Sequence, residues 1–274
     1  MTPDTPHKDH CGIGVAEQED SMAPLSLSTF SHEAPRDFPA LFELLGGRPR
    51  PSVVWYGPDG DRVELSGRVL QNWAVKLVGL LREEVELDDG ADVLIHCAPH
   101  WKACAAVLAA GALGCRVTLG SPGGEPALVI TDRPEDWTDT DALGDAELAA
   151  LSPGLLDDSY ADAVGTSLPG WVLDVSAEVR QHPDQLLSAL PEVALPPVPS
   201  EPRDLLCSTA EGLHDVADAA AGWSTWSPVR WDDDAETALL GAWAQGRTAV
   251  LVQPGPEGIP AQQWETILRN EGVG

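Results

Sequence analysis

The hydrophobic pattern is most regular over residues 65–120, where helix and strand signals follow one another without a break. It predicts a helix over 66–84, a strand over 91–97, a helix over 100–113 and a strand over 115–119. The first of these strands is mostly apolar along its length instead of alternating, which is typical of a parallel strand covered on both faces. The segment therefore predicts an α/β unit.

Further elements flank this unit on both sides. Apolar residues at helical spacing predict a helix that starts near Phe38 and ends at Gly46 and Gly47. Two short apolar stretches around a Gly-Pro-Asp-Gly turn predict a β-hairpin over 52–56 and 61–65. After residue 120 the pattern predicts strands over 127–131 and 248–252 and helices over 142–151, 175–185, 208–221 and 232–246.

The order of these segments predicts the domain organisation. Residues 1–35 are polar and lack sustained periodicity, so a disordered extension is expected there. The proline-rich stretch 191–203 predicts an extended linker between a first α/β lobe at 36–190 and a second, shorter one at 204–274. Both lobes contain the order helix, Gly, Arg, strand, which favours two similar lobes. So short a match is explained equally well if the two segments only share a common way of connecting a helix to a strand. The predicted fold class is α/β, with mostly parallel sheets flanked by helices.

The net charge of the chain limits the classes of molecule that are expected to bind it. The chain has 16 basic and 44 acidic residues, for a formal net charge of −28. Nucleic acids and anionic membrane surfaces bind cationic faces, so neither is an expected partner. Lysine occurs only at Lys8, Lys76 and Lys102, so residues 103–274 contain none.

The cysteines and the lengths of the apolar runs indicate the cellular compartment in which the protein is expected. The five cysteines are odd in number and mostly lie in apolar runs, which favours buried thiols in a reducing compartment over a disulfide framework. No basic region followed by an apolar core opens the chain, so no secretory signal is predicted. The longest apolar run, 103–115, is shorter than the roughly 20 residues of a membrane-spanning helix. A cytoplasmic protein is expected.

A cluster of chemically versatile side chains lies where the strand over 91–97 ends and the next helix begins. It contains His96, Cys97, His100 and Cys104, at the kind of position where open α/β sheets bind ligands. His and Cys are zinc ligands, but His96 and Cys97 point to opposite sides of a strand, so the four converge only if the strand ends early. No metal site is assigned, and His96, His100 and the neighbouring Trp101 are candidate ligand-binding residues.

A second candidate segment is Cys-Ser-Thr-Ala-Glu-Gly at 207–212. The hydroxyls of Ser208 and Thr209 could face an anion in a phosphate-binding turn. Alternatively, Ser208 and Glu211 have the spacing of a capping box before a helix. Ser208 and Thr209 complete the candidate ligand-binding set. No catalytic residue is assigned, because the sequence has no Gly-x-Ser-x-Gly turn, Walker loop, Gly-x-Gly-x-x-Gly loop or Cys-x-x-Cys pair.

Three pieces of sequence carry a family resemblance: Leu-Ser-Gly-Arg-Val-Leu-Gln-Asn-Trp-Ala from Leu65, Leu-Asp-Asp-Gly-Ala-Asp-Val-Leu-Ile from Leu87, and Ala-Ala-Gly-Ala-Leu-Gly-Cys-Arg-Val from Ala109. They resemble the N-terminal lobe of AMP-binding, adenylate-forming enzymes such as acyl-CoA synthetases. The chain is more similar still to a family of short actinobacterial proteins that look like truncated members of that superfamily. That similarity includes Trp-Val-Leu-Asp-Val-Ser-Ala-Glu-Val-Arg-Gln-His-Pro-Asp-Gln from Trp171. The resemblance covers about 38–252.

The chain differs from adenylate-forming enzymes at the positions of their catalytic motifs. Adenylate-forming enzymes bind ATP with a Ser/Thr/Gly-rich loop ending in Pro-Lys-Gly, and they use a later Glu, an Asp and a C-terminal lysine. Here the matching region is the proline-rich stretch and 204–212, no lysine follows Lys102, and the chain ends at Gly274, before the later motifs would arrive. Chemistry on phosphates needs cations to offset developing charge, so full adenylation activity is not expected.

The resemblance and its departures together predict a degenerate relative of AMP-binding enzymes. Such a protein would bind a nucleotide such as AMP or ATP, an acyl-type ligand or a protein partner without catalysing adenylation. One alternative is half of an adenylate-forming or nucleotide-dependent enzyme that another chain completes. A further alternative is an interaction module that binds no small ligand.

Overall fold

The computed structural model describes residues 1, 34–120, 124–138, 140–197, 226–228, 231, 235–253, 255 and 259–271. The predicted extension over 1–35 therefore lies almost entirely outside the described residues, and the predicted helix over 208–221 lies wholly outside them. The chain divides into two compact units, Met1–Glu33 and Ala34–Gly274. All the elements below belong to the second unit.

Helices and strands alternate along most of this unit. The helices are α1 (Phe38–Gly46), α2 (Gly67–Glu83), α3 (Trp101–Ala112), α4 (Glu135–Thr138), α5 (Tyr160–Val164), α6 (Val175–Glu178), α7 (Ala235–Ala244) and α8 (Ala261–Asn270). The strands are β1 (Pro51–Tyr56), β2 (Arg62–Ser66), β3 (Asp92–His96), β4 (Arg116–Leu119), β5 (Leu128–Thr131), β6 (Glu147–Ala150), β7 (Leu173–Asp174), β8 (Trp226–Pro228) and β9 (Thr248–Val252). The elements predicted within 65–120 are confirmed to within one or two residues, as are the hairpin and the strand over 248–252.

One sheet has five strands in the order β4-β3-β5-β6-β7, and every neighbouring pair is parallel. Alternate residues of a strand enter different cores: Val93 and Ile95 pack towards α2 and α3, whereas Leu94 packs with Trp137 and Tyr160 on the other face. Both faces are covered, which explains why β3 is apolar along its length. The predicted fold class, α/β with parallel strands flanked by helices, is confirmed.

The helix predicted over 142–151 is wrong, because residues 147–150 form strand β6 between β5 and β7. Leu148 and Ala150 enter the core on one face of the sheet, and Ala149 enters the core on the other. Leucine and alanine favour helices in isolation, but burial on both faces of a sheet outweighs that preference. Local propensity therefore misassigned this segment.

A second sheet has the order β2-β1-β9-β8, in which β1 and β2 form the predicted antiparallel hairpin and β9 runs parallel to β1. This sheet takes strands from both predicted lobes. At the end of the first predicted lobe, Asp37 forms a bridge with Ala194, and Phe38 N donates to the carbonyl of Val193 at 3.0 Å. The boundaries at 191–203 stay a prediction.

Helix α3 is the centre of the main core, and all twelve of its residues are buried. Its alanines let neighbouring elements approach closely, and it contacts α1, α2, α7 and strand β1. A helix that is apolar all round is typical of such a central position. Lys102 is the exception within it, since a lysine is rarely buried without partners. Within the described ranges, no helix has both the length and the apolar character needed to cross a membrane.

Candidate functional site

A cavity of about 230 Å³ lies at the carboxyl ends of β3, β5 and β6, and we call it the edge cavity. It is lined by Cys97, His100, Asp132, Leu151, Ser152, Pro153 and Gln253. Strands β4 and β5 lie on opposite sides of β3, so the strand order reverses there. Open α/β sheets usually bind ligands at the carboxyl ends of strands at such a point.

His100 contributes a neutral hydrogen-bond donor to this cavity. It caps the N-terminus of α3, because its Nδ1 accepts a hydrogen bond from the main-chain N–H of Lys102 at 3.1 Å. Burial, together with the charge of Lys102, lowers the pKa of His100 to about 3. With Nδ1 acting as an acceptor, the ring proton of the neutral form lies on Nε2. Nε2 is buried and has no partner among the described residues.

The loop that holds His100 is fixed from the other sheet. The indole Nε1 of Trp55 donates to the carbonyl of Pro99 at 2.9 Å, and the Trp55 and His100 rings lie 4.6 Å apart. Trp55 belongs to strand β1, so the two sheets are linked directly beside the edge cavity. This contact restricts the orientation of His100.

Asp132 follows β5 and contributes a carboxylate. Its Oδ2 accepts a hydrogen bond from the main-chain N–H of Ala98 at 3.0 Å, which joins the ends of β3 and β5. Its Oδ1 is buried and has no hydrogen-bond partner among the described residues; Nε of Arg133 lies 4.0 Å away, within ion-pair distance but too far to donate. Burial raises the pKa of Asp132, although the hydrogen bond from Ala98 and the charge of Arg133 oppose this.

Gln253 follows β9 and brings a third buried polar atom, its Oε1, that has no partner among the described residues. A buried polar group without a hydrogen bond costs about 1–3 kcal/mol, so three such groups around one cavity are unusual. Among the described residues that line the cavity there is no lysine or arginine. From the described part of the chain, the edge cavity therefore receives one neutral donor and two acceptors, and no lysine or arginine lines it.

Lys102 starts α3 and points to the loop after β6. Its ammonium donates to Oγ of Ser152 at 2.7 Å and to the carbonyl of Gly154 at 2.7 Å, and it lies 3.3 Å from Oδ2 of Asp157. Burial lowers the pKa of Lys102, while the charge of Asp157 raises it. The lysine therefore holds one wall of the cavity and is not directed at a ligand.

The structure places the predicted site residues differently. His100 lines the edge cavity, whereas the ring of His96 lies 5.5 Å from that of Trp137, with its Nδ1 unpartnered among the described residues. Trp101 is buried and lines a separate cleft beside α2 and α3. Ser208 and Thr209 lie outside the described residues, so their contribution to the site stays a prediction.

Sequence reasoning missed Asp132, Ser152 and Gln253. Asp132 and Gln253 directly follow strands β5 and β9, and Ser152 lies two residues after β6. A polar residue close behind a buried parallel strand is a signal that the pattern contained. Lys102 was noted as the last lysine, but its position inside an alanine-rich helix was the sign of a buried, hydrogen-bonded ammonium.

The cysteines and histidines of the described ranges do not form a cluster of metal ligands. Among the described residues, no group of three or more His, Cys, Asp or Glu side chains is placed to hold a metal ion. Cys97, Cys104 and Cys115 carry free thiols, and burial raises the pKa of all three. Such thiols are poor nucleophiles and poor metal ligands at neutral pH.

Sequence comparison supports the resemblance at a modest level. No protein-family profile matches the chain. An actinobacterial relative, a TIGR03089 family protein from Mycobacterium tuberculosis, is 28% identical over 206 residues. The match covers 74% of this chain and 82% of that protein.

Structure comparison shows the fold. An acyl-CoA synthetase from Brucella canis gives a TM-score of 0.59 at 14% identity, with 86% of this chain and 46% of that chain covered. Acetoacetyl-CoA synthetase from Streptomyces lividans gives 0.52 at 17% identity, covering 86% of this chain and 41% of that one. The amide bond synthetase McbA from Marinactinospora thermotolerans gives 0.51 at 17% identity, covering 86% and 47%.

This chain spans less than half the length of each of these three synthetases. At such identities the likeness concerns the fold and not the reaction. The fold of this chain is that of part of the acyl-CoA synthetases and related adenylate-forming enzymes, as the pieces at Leu65, Leu87 and Ala109 predicted.

Proposed function

We propose that this chain binds the base or ribose of a nucleoside-type ligand, such as AMP or ATP, in the edge cavity, and that it does not catalyse adenylation by itself. One observation carries the proposal: His100, Asp132 and Gln253, which line the cavity, each have a buried polar atom without a hydrogen-bond partner among the described residues. A ligand that hydrogen-bonds to all three atoms removes the cost of leaving them unpaired. A bound ligand would thus supply the hydrogen bonds that these polar atoms lack.

The chemistry of the cavity selects a neutral polar group. The Nε2–H of His100 donates, and the oxygens of Asp132 and Gln253 accept, so the ligand needs both kinds of group. Ribose hydroxyls and the edge of a purine base have both, whereas a phosphate has acceptors and negative charge. The cavity of about 230 Å³ includes space open to solvent, so we propose contact with one moiety of a nucleotide, the base or the ribose, and not enclosure of the whole ligand.

The positions of the positively charged side chains are the reason for proposing that the chain does not catalyse adenylation. Transfer reactions on phosphates depend on cations that offset the developing negative charge. Lys102 is held by Ser152, Gly154 and Asp157, and the sequence has no lysine over 103–274. No cation lines the edge cavity in the described part of the chain. A binding role is the function that these charges support best.

Calorimetric titration of the purified chain with adenosine, AMP and ATP tests the proposal. We expect saturable binding of adenosine, with added phosphates weakening it or leaving it unchanged. Asp132→Asn should weaken binding about tenfold or more, because a neutral amide, which has only one acceptor oxygen, replaces a charged acceptor that already binds the N–H of Ala98. Gln253→Leu should weaken it about three- to tenfold. Asp92→Asn, at an exposed ion pair with Arg116, is the matched control and should bind as the wild type does.

Two results would contradict the proposal. If none of the three compounds binds at millimolar concentration, the nucleoside assignment is wrong and an interaction module becomes the better interpretation. If the purified chain catalyses ATP–pyrophosphate exchange that depends on an added carboxylic acid, the non-catalytic assignment is wrong.

A further inference from the structure

Strand β2 forms one edge of the four-stranded sheet. Within the described ranges it pairs only with β1, so its other side meets no strand. The side chains of Arg62 and Glu64 are exposed, whereas those of Val63 and Leu65 between and after them are partly buried. An edge strand with unused main-chain groups is a template for pairing with another strand, so this edge is a candidate interaction surface.

The hydrogen bonds of β1 show in which direction its main-chain groups point. The carbonyl of Tyr56 accepts from the N–H of Gln253, which follows β9, at 2.9 Å. At the hairpin turn, the N–H of Gly57 donates to the carbonyl of Asp61 at 2.9 Å. Main-chain groups alternate in direction along a strand, so Gly57 and Trp55 face β2, whereas Tyr56 faces β9.

The register of the hairpin carries this alternation over to β2. Val63 lies opposite Trp55 and is its hydrogen-bonded partner, whereas Arg62 lies opposite Tyr56, one residue along. Arg62 and Glu64 therefore point their N–H and C=O groups away from the sheet. Their side chains are 33% and 46% exposed, and they form an ion pair with each other. The outer edge of β2 thus presents one positive and one negative residue, each with outward main-chain groups.

The charges on this edge select one register for pairing with a second, antiparallel copy of β2. Hydrogen bonds between the two copies join only outward residues, which are even-numbered. With Val63 opposite Val63, Arg62 of each copy lies opposite Glu64 of the other. A shift of two residues places either Arg62 opposite Arg62 or Glu64 opposite Glu64. Unlike cross-strand pairs stabilise a sheet and like pairs destabilise it, so the charges favour the register centred on Val63.

We propose that β2 pairs with β2 of a second copy of this chain, across a two-fold axis at Val63, to form a homodimer. Each copy contributes both Arg62 and Glu64, so the interface contains two cross-strand ion pairs and a central pair of valines, which favour strands. The four-stranded sheets of the two copies become one continuous sheet. No residue of β2 lines the edge cavity, so this interface does not rest on the proposed nucleoside binding.

The strength of the dimer follows from its charge and size. The net charge of −28 on each copy opposes association. In about 0.15 M salt the Debye length is about 8 Å, which exceeds the roughly 5 Å between paired strands, so the ion pairs persist while distant charges are screened. One short strand per copy buries little surface, whereas stable interfaces bury about 1,200 Å² or more. We therefore expect a weak dimer in concentration-dependent equilibrium with the monomer.

Sedimentation velocity at micromolar to millimolar protein concentration, in about 0.15 M salt, measures this equilibrium. Glu64→Lys places Arg62 opposite a lysine in both pairs and should raise the dissociation constant of the dimer about tenfold or more. Glu64→Pro removes an outward N–H that β1 does not use, so it should abolish the dimer and leave the hairpin folded. The matched control is Glu147→Lys, which makes the same change of charge at the exposed first residue of β6 and should not weaken the dimer.

A mixture of two variants tests the register. Arg62→Glu and Glu64→Lys should each weaken self-association, because each places like charges across the axis. Between the two variants both cross-strand pairs are unlike, so mixed dimers should form. Arg62→Glu also loses hydrogen bonds to Tyr56 and Glu271, so circular dichroism is used to verify that each variant is folded before mixing.

The proposal is overturned if the wild type stays monomeric at millimolar concentration. It is also overturned if Glu64→Lys and Glu64→Pro associate as strongly as the wild type does, since the copies would then meet at another surface. If Glu147→Lys weakens the dimer as much as Glu64→Lys does, the effect is not specific to β2. Folded Arg62→Glu and Glu64→Lys chains that stay monomeric when mixed contradict the register centred on Val63.

Discussion

The ammonium of Lys102 lies 2.7 Å from Oγ of Ser152, and this contact joins helix α3 to the loop after strand β6. The same ammonium donates to the main-chain carbonyls of Ser152 and Gly154 at 2.9 and 2.7 Å. One side chain thereby holds the segment that carries Leu151, a residue that lines both the edge cavity and the separate cleft beside α2 and α3. The position of both cavities depends on this lysine.

Lys102→Met should lower the free energy of unfolding by about 2–4 kcal/mol, because it leaves Asp157 and the buried carbonyls of the loop without their donor. Urea denaturation followed by circular dichroism measures the change. Lys76→Met is the matched control, since Lys76 donates to the carbonyl of His182 at 2.6 Å and should cost about 1 kcal/mol. Equal losses in the two variants would show that Lys102 has no special structural role.

His100 should stay neutral in the folded protein down to acidic pH. Burial lowers its pKa to about 3, against an ordinary value of 6.5. The folded state therefore binds fewer protons between these values, so the contribution of His100 to stability is present above about pH 6.5 and is lost as the pH falls towards 3. Nitrogen NMR of the imidazole should show the Nε2–H tautomer without titration between pH 5 and 8.

His100→Asn keeps a side chain able to cap α3 and removes the titrating ring. In this variant the free energy of unfolding should fall less steeply than in the wild type as the pH drops from about 6.5 to 4. A His100 ring that titrates near pH 6.5 in the folded protein would contradict the assigned donor and, with it, the chemistry of the edge cavity.

Glu236, in the first turn of α7, should make the free energy of unfolding depend on pH in the direction opposite to that of His100. Burial raises the pKa of its carboxyl to about 7, from an ordinary value of 4.5. The folded state binds more protons between these values, so this contribution is fully present below about pH 4.5 and is lost as the pH rises through 7. Glu236→Gln should therefore be more stable than the wild type near pH 8, and this advantage should shrink towards pH 4.5.

Urea denaturation at several pH values checks this expectation. Glu265→Gln removes an exposed carboxylate from α8 and controls for the loss of one surface charge. If the stability difference between Glu236→Gln and the wild type is the same at pH 4.5 and pH 8, the raised pKa of Glu236 is refuted.

Gly111 determines how closely α1 packs on α3. A Cβ at this position would overlap the phenyl ring of Phe38, which is buried in the main core. Gly111→Ala should therefore cost roughly 1–3 kcal/mol of stability, although alanine in a helix interior is otherwise about 1 kcal/mol better than glycine. Combining it with Phe38→Leu should restore part of the loss, which a double-mutant cycle measures.

Gly170→Ala is the matched control for Gly111→Ala. Apart from its two chain neighbours, no atom of the described residues would lie within 4 Å of a Cβ at Gly170, so the substitution should be close to neutral. If Gly111→Ala stabilises the protein, helix propensity outweighs the close contact between α1 and α3, and the packing explanation is wrong.

Elements whose apolar pattern is long and regular could be predicted from sequence. The stripe of α2 and the apolar run of β3 are local properties, so their positions agree with the prediction. Strand β6 could not be predicted, because its Leu-Ala-Ala residues favour a helix and become a strand only through pairing with β5. His100 was predicted as a site residue from its place after a strand, but its bonding state depends on burial.

The sequence by itself determined the α/β class, the central alanine-rich helix and the likeness in fold to adenylate-forming enzymes, because these depend on periodicity and on contiguous pieces such as that at Leu65. Only the tertiary structure decided which polar groups meet. Gln253 reaches the cavity because β9 pairs with β1, almost 200 residues earlier in the chain. Lys102 meets Ser152 because β3 and β6, on either side of β5, run parallel and end at the same edge of the sheet. Contacts between residues so far apart depend on strand order and burial, which no local pattern specifies.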